Sequence, residues 1–175
     1  MSRLNTAKEK AIYDYVVAAS GLAAGNVIWD KQDIASVRPE RPAYPFATLN
    51  ISAMSYIGAP EAAYKTTDKY EYTIRRAITI SVNVFALSGW LDYVNKIAYG
   101  LELPTKQSIL QAAGLAIHGH GQITDISSFL DTQHEGRGLV ELSLSYGEVI
   151  EETTGEISEV DGTGTVGDVA VIINA

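Results

Sequence analysis

Apolar and polar residues alternate with period two over three stretches of the chain and recur with helical period over two others. From Tyr72 to Ala86, Ile78, Ile80, Val82 and Val84 fall on one side, and Ala77, Thr79, Ser81 and Asn83 on the other. Phe46 to Met54 repeats the pattern, with Ala47, Leu49, Ile51 and Ala53 opposite Thr48, Asn50 and Ser52. Leu139 to Ile150 does so again, with Val140, Leu142, Leu144 and Tyr146 inward and Glu141, Ser143 and Ser145 outward. Such alternation predicts antiparallel strands with one buried face. The Phe46 and Tyr72 strands read as a long hairpin joined by a polar loop from Gly58 to Lys69. Ile12, Tyr15, Val16, Ala19 and Leu22 mark an amphipathic helix. It is opened by the capping-box pattern Thr6-Ala7-Lys8-Glu9 and closed near Gly21 or Gly25. Trp90, Val94, Ile97, Ala98 and Leu101 mark a second helix, with Ser88 as its cap. Pro104 interrupts it, Thr105 caps a short third helix, and Gly114 ends that one.

Weaker strands are expected at Asn26–Trp29 and Leu115–Thr124, and Lys31 to Pro45 reads as an irregular connection. Gly155–Val160 and Asp168–Ile173 are expected to form a terminal hairpin around Gly162 to Gly167. The predicted fold is α+β: a mainly antiparallel sheet with a long hairpin, two or three flanking helices and a C-terminal β-arm. Residues 1–150 are expected to form the domain, and 151–175 an acidic arm or hairpin.

Composition narrows the function classes. The chain has 175 residues, 46% of them hydrophobic and 19% charged, which is globular composition rather than that of a disordered chain. It has no cysteine, which removes disulfides, thiol nucleophiles and cysteine-bound metal. No apolar run approaches the ~20 residues of a membrane helix, and the polar start lacks a signal-peptide core. The net charge of −8 is unevenly spread. Thirteen acids balance thirteen bases through Arg137; the last 38 residues hold eight acids and no Lys or Arg. A surface of that sign does not grip nucleic acid, but it can line a passage through which nucleic acid slides.

Candidate chemistry is sparse. Gly162-Thr163-Gly164-Thr165-Val166-Gly167 spells G-x-G-x-x-G, a motif that works only between a strand and a helix. The apolar run Val169–Ile173 behind it reads as strand, so a turn is the better reading. His118 and His120, two apart on a predicted strand, are expected on one face, where His134 or Asp125 would have to complete a metal site. The nucleophile elbow, P-loop, HExxH and zinc-finger spacings are absent. Ten tyrosines favour interfaces: Tyr56, Tyr64, Tyr70 and Tyr72 cluster around the Gly58–Lys69 segment. The β-prone Val169–Ile173 needs a docking partner, on its own sheet or on a neighbour's edge.

Several segments resemble a known family. Val27-Ile28-Trp29 followed by Gln32, then Arg41-Pro42-Ala43-Tyr44-Pro45-Phe46-Ala47-Thr48-Leu49, is similar to the start of the bacteriophage neck or tail-terminator family. The Arg76–Ala86 strand leading into the Leu91–Leu101 helix resembles that family's middle. Asp125-Ile126, Asp131 to Arg137 and the Val140–Tyr146 strand resemble its last third. The resemblance covers Thr6 to Ile150. It implies a virion structural protein, made in the host cytoplasm, that forms a ring, usually a hexamer, at the head–tail junction. Such a ring caps the tail tube, halts its growth and lets the genome through. It implies no catalytic residue and no cofactor. The implied partners are further copies of the chain, the tail-tube and connector proteins, and double-stranded DNA that passes without specific binding; no membrane is implied.

Combined with the charge split, that role makes Glu141, Glu148, Glu151, Glu152, Glu156 and Glu159 candidates to face the lumen. Tyr56, Tyr64, Tyr70, Val169, Val171 and Ile173 are candidates for contacts between subunits. The alternatives are a tail-tube or head-completion adaptor subunit of the same virion, a module of a contractile secretion device, and a small metal- or ligand-binding α+β protein using His118 and His120.

Overall fold

The computed structural model describes residues 4–30, 41–66, 69–130, 133–153, 162–166 and 169–173. Helix α1 (Thr6–Ser20) is followed by a 3-10 turn and strand β1 (Val27–Trp29). Two long strands come next, β2 (Phe46–Thr66) and β3 (Lys69–Ala86), then helices α2 (Trp90–Gly100) and α3 (Pro104–Gln111). Strand β4 (Leu115–His120), the short β5 (Thr124–Asp125) and β6 (Ser128–Leu130), and the long β7 (Gln133–Thr153) complete the main sheet. Strands β8 (Gly162–Val166) and β9 (Val169–Ile173) pair with each other, antiparallel, from Gly162↔Ile173 to Val166↔Val169. The fold is α+β with a mostly antiparallel sheet and three helices.

The sheet order is β1-β2-β3-β7-β4, with β5 and β6 also on β7. β1 departs from the antiparallel rule, running parallel to β2 with Val27 opposite Ala47 and Trp29 opposite Leu49. Two compact units emerge: Met1–Ala59 with Arg75–Glu148, and Pro60–Ile74 with Val149–Ala175. The second unit therefore takes in the tip of the hairpin, Pro60–Ile74, as well as the C-terminal segment.

The first unit has one core. Ile78, Ile80, Val82 and Val84 of β3, with Val140, Leu142 and Leu144 of β7, meet Ile12, Tyr15 and Val16 of α1 and Val94, Ile97 and Ala98 of α2. Each such aliphatic side chain contributes roughly 1.5–3 kcal/mol by leaving water. Period-two alternation thus selected the right inward residues on β3 and β7; on β2 it holds for Ala47 and Leu49, whereas Ala53 is exposed and Met54 packs against the core.

Several local readings change. Asn5, not Thr6, caps α1: its side chain accepts from the Ala7 amide at 2.9 Å, so the helix begins at Thr6. Gly89, rather than Ser88, precedes α2, and no side chain caps that end. Pro104 starts α3 instead of interrupting a helix, since an N-terminal proline sacrifices only an amide that has no partner anyway. The expected loop from Gly58 to Lys69 is strand almost throughout. From Gly58 to Tyr64 its residues are exposed, so no buried face imprints alternation on them. The backbone ladder sustains the strand there. Gly58 supplies a left-handed φ of +71° within it, which a side chain would strain. The terminal hairpin is formed by Gly162–Val166 and Val169–Ile173; Gly155–Val160 lies outside the described residues.

Tyr15 ties two helices together. Its buried hydroxyl donates to the Ile97 carbonyl at 2.5 Å, in the last turn of α2, where carbonyls lack helical donors. Burial pushes its pKa well above the usual tyrosine range. A raised value means the neutral phenol is the folded form, so its contribution is complete below pH ~10 and fades as pH climbs past it. Tyr15→Phe is expected to cost about 1–3 kcal/mol at neutral pH by orphaning that carbonyl. In chemical denaturation above pH ~10 the wild-type and variant stabilities should converge.

Candidate functional site

One face of the sheet carries the helices; the other is paved with small polar side chains. Thr48, Ser81, Asn83 and Ser145 sit there, nearly buried by their neighbours. Glu141 stands among them on β7 and is itself exposed. Its Oε1 accepts from Ser81 Oγ at 3.2 Å and lies 3.5 Å from Ser52 Oγ. Among the described residues its partners are hydroxyls, not cations, so its negative charge is held in place and left uncompensated.

A cationic network borders this polar face. The Arg41 guanidinium donates to Tyr44 Oη at 2.6 Å and pairs with Glu135, to which Tyr44 also donates. Arg41 lies over the Tyr44, Phe46 and Phe85 rings at 5.0, 5.1 and 5.6 Å. Arg137 lies 4.7 Å from the Phe85 ring and donates to Asn83 Oδ1 at 3.0 Å.

Glu148 belongs elsewhere. Its Oε2 is 2.7 Å from Arg76 Nε, and Arg76 lies 5.0 Å over the Tyr56 ring. Tyr146, two residues before Glu148, packs against the helix-side core, with the Lys8 ammonium 5.0 Å over its ring. Burial raises the Tyr146 pKa against the opposing pull of Arg76. Glu141 and Glu148 therefore lie on opposite faces of β7, and Glu148 is matched by a cation within the chain.

In the second unit, Tyr64 meets Tyr70 edge-on at 5.3 Å, and Tyr70 stacks on Tyr72 at 6.5 Å. The Tyr72 hydroxyl bonds Glu152, which raises its pKa. Glu151 and Glu152 are exposed. Glu156 and Glu159 lie outside the described residues, as do the side chains of Val169, Val171 and Ile173, whose backbones form β9.

The histidines separate. β4 shifts register against β7 between Ile117 and Gly119, so His120 falls opposite Leu142. His118 Nε2 instead lies 2.7 Å from Ser145 Oγ, on the polar face. The bulge breaks the alternation on which a shared face depended. No group of three or more potential metal ligands exists among the described residues. The G-x-G-x-x-G segment enters β8, which pairs with strand β9 where the motif would require a helix.

The family model described as phage neck terminator protein matches residues 7–169. The chain belongs to the phage neck terminator family. The match runs past Ile150, where the recognisable segments stop, and so takes in most of the acidic C-terminal stretch. No curated protein matches the chain. For a neck terminator, structural surfaces matter more than reactive groups, and two of them escaped the sequence reading. One is the Arg41–Tyr44–Glu135 network, in which Glu135 lies 91 positions from the tyrosine it bonds. The other is the outward row on α2, Leu91 and Tyr99, which was readable from its i, i+8 spacing.

Proposed function

We propose that this protein forms a closed ring of identical subunits at the head–tail junction of a phage particle, ends the tail tube there and lets genomic DNA pass. Membership of the neck terminator family over residues 7–169 carries this reading. The electrostatics support it. A conduit must not hold DNA, since Lys or Arg neutralising ~6 phosphates would create a tight, salt-sensitive brake. Glu141 suits a lumen wall because its charge is oriented by hydroxyls and uncompensated. Glu148 suits it less, being neutralised by Arg76.

Electron microscopy of the purified chain, alone and with tail-tube protein, tests the assembly. Rings that stop at one layer are expected; long tubes of this chain alone would favour a tail-tube subunit, and absence from purified particles would end the proposal. Glu141→Lys tests the lining. Rings of the variant should retain linear duplex DNA at low salt and release it steeply as salt rises, whereas wild-type rings should not retain it. A reconstruction placing Glu141 on the outer rim would remove this assignment.

A further inference from the structure

Helix α2 has two apolar sides. Val94, Ile97 and Ala98 enter the core. Leu91 and Tyr99, two turns apart, face solvent, and Leu87 just before the helix and Leu103 just after it are exposed as well. These four side chains are 49–62% exposed. At ~200 Å² per large side chain they offer roughly 400 Å² of mostly apolar surface. A standard interface takes about 800 Å² from each partner, a little over half of it apolar, so the row supplies a full apolar share. It does not suit a lipid surface: α2 carries a single cation, Lys96, already paired with Asp92 at 2.7 Å, where membrane-lying helices are rich in Lys and Arg.

The remaining exposed large apolar side chains among the described residues are Tyr56, Ile57 and Tyr64 on β2 and Val149 and Ile150 on β7. Among them, Tyr64 is joined to Tyr70 and Tyr72 in a ladder of ring contacts. Ile150, two residues from the Glu152 that bonds Tyr72, shares its side of the strands. The chain thus displays an aliphatic helical row and an aromatic strand face, and these two surfaces are unlike. A ring closes through one heterologous contact, which requires two different surfaces on each copy.

We propose that the Leu87–Leu91–Tyr99–Leu103 row receives the tyrosine ladder of the next copy of this chain, an assignment that rests on the ring reading above. Mixing two blocked variants tests it. Leu91→Asp/Tyr99→Asp spoils the row, and Tyr64→Asp/Ile150→Asp spoils the ladder. By sedimentation, with tail-tube protein present, each variant alone should remain a monomer. An equimolar mixture should stop at a heterodimer, because one intact row then meets one intact ladder. Unchanged melting of each variant shows that it folds, and Leu91→Ser/Tyr99→Ser serves as the milder row variant. If wild type and both variants all build rings, the docking is wrong and the ring stands. If the mixture stays monomeric, the docking is wrong. If wild type itself never assembles, both readings fall. Wild type pelleting with anionic vesicles, lost on spoiling the row, would assign the row to lipid and overturn the proposal.

Discussion

Gly138→Val is expected to lower the melting temperature by roughly 10 °C, from an overpacking cost of about 3 kcal/mol. A Cβ at Gly138 would lie 2.2 Å from Trp90 Cε3, 2.5 Å from Cζ3 and 2.8 Å from Val94 Cγ2. At Gly136 it would lie 2.6 Å from Trp90 Cδ1 and 2.8 Å from the Ala86 carbonyl. The indole therefore lies flat against β7 across two missing side chains, and it seals the start of α2 to the sheet. Because the clash is with the ring, Trp90→Leu should recover part of the loss. The double variant should be more stable than the sum of the two single losses predicts, by at least ~0.5 kcal/mol. Differential scanning calorimetry on the three variants measures both numbers.

The second large effect is at Glu135. Its buried carboxylate holds Arg41 and the Tyr44 hydroxyl together. Removing one partner of a buried pair can cost several kcal/mol. The Arg41 side chain is about half exposed, and water can take over that part of the contact. Glu135→Ala should therefore cost about 2 kcal/mol in urea unfolding. Tyr44→Phe should cost less, and a cycle with Glu135→Gln should return a coupling near 1 kcal/mol. Amide exchange should rise most around Phe46, because Tyr44 and the Phe46 ring share the Arg41 stack. Additive losses in that cycle would show that the tyrosine and the carboxylate act independently.

What could be read from the sequence follows from what buries apolar surface. Ile78 to Val84 and Val140 to Leu144 face one core, so their alternation identified both the strands and the inward residues. The same reasoning was blind where no face is buried, as along β2 from Tyr56 to Tyr64. It also began β7 six residues late. Gly136 and Gly138 look like strand breakers, while their real role, admitting Trp90, depends on a residue far away in the chain. The acids on β7 were legible as charge, and the alternation already sets Glu141 and Glu148 on opposite faces; what it could not show is that Glu148 is paired, because its partner Arg76 sits on another strand. The histidine pair failed for a local reason, since one register shift reverses the side on which every later residue lies.

The outer stretch of β2, from Tyr56 to Tyr64, is exposed on both sides, and this has a consequence for how the protein can vary. Where neither side of a ladder is dry, no hydrophobic constraint fixes its length. Adding two residues to each strand keeps every side chain on its original side and lengthens the ladder by about 7 Å. Adding one residue to each would turn the tyrosines away from their present side. Insertions in that region should therefore be tolerated in even steps and resisted in odd ones, so that the length of the strands can drift only in pairs of residues.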